Sequence, residues 1–117
     1  MKARIDHLFL CLDLSSYDRA CLAFAEILLR AWPDIQRITL FHNIRQEFAK
    51  QLGAASELKP GELKHKIEAF CREEYVPLLQ DTDLAKVTIT EQKKTASAIQ
   101  EQLEHLSENT LCLFGLK

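Results

Sequence analysis

The run His7-Leu8-Phe9-Leu10-Cys11-Leu12, followed at once by Asp13-Leu14-Ser15-Ser16, decides the fold. A strand with one wet face alternates apolar and polar residues; this one is almost continuously apolar. Such a run predicts a strand buried on both faces, as in a parallel sheet covered by helices. The polar residues that break it can cap a helix. Ser15 stands three residues before Asp18, which resembles a capping box with Asp in place of Glu.

Working outward, a helix is predicted from about Ser16 to Trp32. Cys21, Phe24, Ala25, Leu28, Leu29 and Trp32 recur at helical spacing as its inward face, with Asp18, Arg19, Glu26 and Arg30 mostly outside it. Pro33-Asp34 ends it. Arg37 to Ile44 reads as a second buried strand. Ile44, Phe48 and Leu52 suggest a short helix stopped at Gly53, and Lys59-Pro60-Gly61 is a turn signal. A longer helix begins near Gly61, with Leu63, Ile67, Phe70, Cys71 and Leu78 inward and Pro77 ending or kinking it. Val87-Thr88-Ile89-Thr90 is a β-branched strand. Thr95 is the expected N-cap of a helix carrying Ile99, Leu103 and Leu106 and ending near Glu108-Asn109. Thr110 to Phe114 is the fourth strand, closed by Gly115. Strands alternating with helices predict an α/β domain over residues 1–117, with an open parallel sheet, right-handed crossovers and helices on both faces.

Composition narrows the function. The 117 residues carry 15 basic and 17 acidic side chains, a net charge of -2, which argues against a nucleic-acid binder. Apolar residues make up 47 %, enough for a chain of this size to bury roughly two-thirds of its unfolded surface. The most apolar stretch, Cys21 to Trp32, is interrupted by Glu26 and Arg30, so no membrane span is expected, and no secretory signal is visible. Cys11, Cys21, Cys71 and Cys112 are scattered through apolar segments, which predicts reduced, mostly buried thiols in a cytoplasmic protein. Neither a Cys-x-x-Cys pair nor zinc-ligand spacing is present, and no metal site is expected.

In an open α/β sheet, ligands bind at the carboxyl ends of the strands, where strand order reverses. The candidates are therefore Asp13, Leu14, Ser15 and Ser16 after the first strand and His42, Asn43, Ile44 and Arg45 after the second. Glu91, Gln92, Lys93 and Lys94 follow the third, and Gly115, Leu116 and Lys117 the fourth. Asp13 stands out, because an acid ending a buried strand can hydrogen-bond a ribose hydroxyl or an amine. Its competing role is to cap the first helix. His42 as an acid or base has no nucleophile near it in sequence, so catalysis is not expected.

Taken in order, these segments resemble the universal stress protein family over nearly the whole chain. The first strand ending in Asp13-Leu14-Ser15 is similar to that family's strand ending in Asp-x-Ser. The alanine-rich stretch from Arg19-Ala20 to Leu29 resembles its first helix, and Leu40-Phe41-His42-Asn43 the end of its second strand. Ala96-Ser97-Ala98-Ile99 resembles the start of its third helix, and Leu111-Cys112-Leu113-Phe114-Gly115 its fourth strand.

The resemblance implies an adenine-nucleotide α-hydrolase-like fold, with the family's strand order 3-2-1-4-5 reduced to 3-2-1-4, and a homodimer. It implies a stress-response domain binding ATP or AMP, with magnesium, as a regulatory ligand. Asp13, Leu14, Ser15, Asn43 and Gly115 would contact the nucleotide. Two features depart from the pattern. The family's Gly-x-x-Gly loop, later Gly-Ser, last helix and fifth strand have no counterpart up to Lys117. Gln92-Lys93-Lys94-Thr95 stands where Gly-Asp-Pro is frequent. Lys93 and Lys94 are then the alternative source of phosphate charge. The other reading is a degenerate member without nucleotide, serving as a dimerisation or partner-binding module of a larger protein. Its exposed fourth strand would be the edge where a partner pairs.

Overall fold

The computed structural model describes residues 5–45, 61–79, 84–106 and 109–114. Strands β1 (His7–Cys11), β2 (Arg37–Arg45), β3 (Ala85–Gln92) and β4 (Thr110–Phe114) form one sheet of order β3-β2-β1-β4. Every pairing is parallel: Leu8 lies beside Ile38 and Leu111, and Leu40 beside Val87. The chain thus steps outward from β1 to β3, then returns to the far side of β1. The predicted order 3-2-1-4 and the parallel pairing are both present.

The continuous apolar run of β1 is explained by the two faces it serves. Leu8, Leu10 and Leu12 join Ile38, Leu40 and Ile44 in the larger core, beneath α1 (Tyr17–Ala31) and the segment that begins with α2 (Glu62–Phe70). Phe9 and Cys11 point the other way and pack with Phe41 beneath Ala98 of α3 (Thr95–Leu103). The Phe9 and Phe41 rings stack with centroids 5.5 Å apart. Helices therefore cover both faces, which is why neither parity of β1 tolerates a charge.

Several expectations need correction. In α1 the residues turned inward are Asp18, Cys21, Leu22 and Ala25, whereas Phe24 is 51 % and Trp32 39 % exposed. Asp18 and Leu22, one turn apart, set the inward face. The helix after Gly61 does not simply stop or bend at Pro77. It passes into a π-helical turn, Cys71–Tyr75, and a 3-10 turn, Val76–Leu78. Cys71 is buried as expected, while the wider turn brings Tyr75 and Leu79 inward and leaves the expected Phe70 and Leu78 exposed. Strand β3 is longer than Val87–Thr90, because it pairs with β2 along its whole length, from Ala85 beside Ile38 to Gln92 beside Arg45. Helix α3 begins at Thr95, so Lys94 and not Thr95 holds the N-cap position, and the helix ends at Leu103. The short helix expected through Phe48 and Leu52 and the Lys59-Pro60 part of the turn lie outside the described residues.

Candidate functional site at the carboxyl ends of β1 and β2

At the end of β1 the Leu12 N–H still donates to the Phe41 carbonyl (2.8 Å). The chain then leaves the sheet, and Leu14 takes a left-handed conformation at φ 61°. Asp18 holds this bend. Its Oδ1 accepts the Asp13 N–H (3.1 Å), and its Oδ2 accepts the Leu14 N–H (2.8 Å) and the Tyr75 hydroxyl (2.9 Å). The carboxyl is fully buried. Burial pushes its pKa above the ordinary 3.8, against the pull of the three donors. The expected capping box is not formed. The Ser15 hydroxyl accepts the Tyr17 N–H (3.2 Å), while the Asp18 carboxyl turns back to cap the bend ahead of the helix. Asp13 is exposed and organises the same bend, accepting the Ser15 N–H (3.0 Å) and the Ser15 hydroxyl.

At the end of β2, Asn43 is buried and bonded on every side. Its Oδ1 accepts the Thr90 hydroxyl (2.8 Å) and the Gln92 N–H (2.9 Å). Its Nδ2 donates to the Gln92 carbonyl and to Thr95 Oγ1, both at 3.3 Å. One side chain thereby clips β2 to β3 and to the first residue of α3. His42 Nδ1 lies 2.8 Å from the Leu12 carbonyl. A carbonyl only accepts, so Nδ1 carries the hydrogen, and in the neutral ring Nε2 is the acceptor.

Between these ends lies a cavity of about 560 Å³, lined by Leu12, Asp13, Leu14, His42, Asn43, Ile44, Arg45, Ile67 and Thr95. That volume suits a small-molecule ligand. Strand order reverses between β1 and β4, whereas the cavity sits over β1 and β2. Of the sequence candidates, Asp13, Leu14, His42, Asn43, Ile44 and Arg45 converge here, and Ser15 is not in the lining; Gly115 lies outside the described residues. Lys93 and Lys94 are exposed and also absent from the lining, where Arg45 is the cation among the described residues. Sequence reading missed Asp18 and Tyr75 as the supports of the bend. Asp18 carries a helix-start signal that concealed its inward role, and no local pattern brings Tyr75 to it.

None of the four free thiols lines the cavity. Burial pushes Cys11 up to about 12 and Cys21 and Cys71 to about 11, so these are protonated, weakly nucleophilic groups at neutral pH. Among the described residues no three His, Cys, Asp or Glu side chains are placed to hold a metal, and no helix is long and apolar enough to cross a membrane. Fold and site together define an open parallel α/β domain with a ligand-sized cavity at the carboxyl ends of its strands. Comparison with known proteins finds no matching family model, no matching curated protein and no matching solved structure.

Proposed function

We propose that this domain binds an adenine nucleotide, as ATP or AMP, as a regulatory ligand in the manner of a universal stress protein. The observation that carries the reading is the cavity over β1 and β2, whose described lining combines apolar walls with the carboxylate of Asp13 and the guanidinium of Arg45. Leu12, Leu14, Ile44 and Ile67 offer surface for a flat base. Asp13 can accept from ribose hydroxyls, and Arg45 can pair with phosphate oxygens. The first turn of α3 starts at the cavity through Thr95, and a helix N-terminus favours an anion. Among the described residues of the lining Asp13 is the sole carboxylate, and phosphate oxygens and water would supply the other ligands of magnesium.

A second reading, a partner-binding module without nucleotide, is favoured by Asn43. Its polar atoms are already bonded inside the protein and leave little for a base to read. Strand β4 lies at one edge of the sheet, with Phe114 45 % exposed, and offers that reading a surface. Titration calorimetry and native mass spectrometry of the chain with adenosine, AMP and ATP with magnesium separate the two. Nucleotide binding is expected to saturate, with Asp13→Ala weakening all three ligands and Arg45→Ala weakening only the phosphorylated ones. A chain that takes up none of them at millimolar concentration leaves only the second reading.

A further inference from the structure

Alternation along β2 sends its last residues to opposite faces of the sheet. His42 and Ile44 fall on the side of Ile38 and Leu40, in the larger core, and Asn43 falls on the side of Phe41, beneath α3. The cavity spans the strand end and so has two halves of different chemistry. Leu12, His42, Ile44 and Ile67 of α2 build one, and apart from His42 these side chains are hydrocarbon. Asn43, Arg45 and Thr95 build the other, where Asn43 Nδ2 donates to Thr95 Oγ1 at 3.3 Å. A flat base belongs in the first half, and a phosphate beside Arg45 in the second.

His42 is held at one ring nitrogen and open at the other. Its Nδ1–H donates to the Leu12 carbonyl at 2.8 Å, which fixes the tautomer and the orientation of the ring. That bond ties β2 to the end of β1, and a purely structural side chain would need no more. Nε2 remains, an acceptor in the neutral ring, and among the described residues no group bonds it. The neighbouring Asn43, by contrast, has spent both its amide atoms inside the protein. An unspent acceptor on the wall of an apolar half-cavity discriminates between ligands. Whatever covers it must bring an N–H or O–H or leave it unpaired.

We propose that His42 selects the base: its Nε2 accepts a hydrogen from the exocyclic amine of adenine. This rests on the nucleotide reading above and adds to it the edge by which the base is recognised. The amine is a donor, whereas the ring nitrogens beside it are acceptors and offer Nε2 nothing. Asp13, exposed and bonded to Ser15 at the bend, is left for the sugar. His42 thus separates adenine from a purine of the same shape that carries no amine. Neither the apolar walls nor Arg45 tells those two apart, since both ligands present them with the same ring and the same phosphate.

Titration calorimetry with AMP and with purine riboside monophosphate, which is AMP without the amine, tests it. The parent should bind AMP about tenfold more tightly than the amine-free ligand. His42→Asn keeps a donor for the Leu12 carbonyl and removes the Nε2 acceptor. It should bind the two ligands within about twofold of each other, with the affinity for the amine-free ligand unchanged from the parent. That last value controls for the fold, because a general disturbance of the cavity weakens both ligands. The parent ring also reports without any substitution. In proton–nitrogen correlation spectra the hydrogen should sit on Nδ1, and the Nε2 resonance should move with AMP and stay in place with the amine-free ligand. Equal affinities in the parent, an AMP preference kept by His42→Asn, or a hydrogen on Nε2 overturns the role of His42 and leaves the nucleotide reading standing. Uptake of neither ligand overturns both.

Discussion

The Tyr75 hydroxyl donates to Asp18 Oδ2 at 2.9 Å, joining a π-helical turn to the first turn of α1. The same carboxyl holds the backbone of Asp13 and Leu14, so one buried acid links the second helical segment to the cavity's edge. Asp18→Ala strands three donors and is expected to cost about 3 kcal/mol or more. Tyr75→Phe leaves the carboxyl one donor short and should cost about 1–2 kcal/mol. Urea unfolding of both single variants and the double variant is the measurement, and a double-variant cost equal to the sum would refute the coupling.

The same group makes an unusual contribution to pH dependence. Its folded pKa is raised, so its stabilising effect is fully present below the unfolded value near 3.8 and is lost as pH rises through the folded value. Asp18→Asn cannot titrate. Its stability should therefore lack this decline, seen as a flatter profile between pH ~4 and neutrality relative to the parent.

His7 acts in the opposite direction. It is buried in β1, with Nε2 2.8 Å from Thr39 Oγ1 and Nδ1 3.4 Å from Thr110 Oγ1. Hydroxyls donate and accept, so they satisfy a neutral ring. Burial, and then the charge of Arg37, lowers its pKa below 6.5. The stability tied to the neutral ring is present above 6.5 and is lost as pH falls toward the depressed folded value. His7→Gln keeps a donor and an acceptor but does not titrate. Thermal melts from pH 7 to pH 4 should show a shallower acid loss for this variant.

Leu14 is a non-glycine residue in the left-handed region, at φ 61°. That conformation costs an L side chain about 1–2 kcal/mol, while glycine's entropy takes back about 0.5–1 kcal/mol. Leu14 is 36 % exposed, so most of the side chain is buried and any truncation also loses packing. Leu14→Ala and Leu14→Gly lose it about equally, so the glycine variant should be the more stable of the two by about 0.5 kcal/mol. A lower denaturation midpoint for Leu14→Gly than for Leu14→Ala would count against a strained bend.

Thiol chemistry should follow burial. Cys11, Cys21 and Cys71 are buried, and Cys112 is only partly so. Ellman's reagent at pH 8 should modify Cys112 first and the other three only on unfolding. Early modification of Cys11, held near 12, would contradict its place beneath α3.

The strands and their parallel direction were legible in the chain because a doubly covered strand has a local signature, whereas their order came only from the family resemblance. Leu8, Phe9 and Leu10 must be apolar on both sides, and Pro33-Asp34 must stop the helix that follows. Asp13 and Asn43 were legible as site candidates because the carboxyl ends of parallel strands are where such a fold opens. Their actual partners were not. Whether Asn43 faces a ligand or is consumed by Thr90, Gln92 and Thr95 depends on residues up to 52 positions away. Asp18 has the same history: its position reads as a helix start, and only the arrival of Tyr75, 57 residues later, draws it inward. The face of α1 likewise needed the third dimension. Helical periodicity places apolar residues on two sides, and which side meets the sheet is set by Asp18 and Leu22. Periodicity along the chain is a local property, written in consecutive residues. The pairing of polar groups across the sheet is a contest among distant donors and acceptors, which only the packed structure resolves.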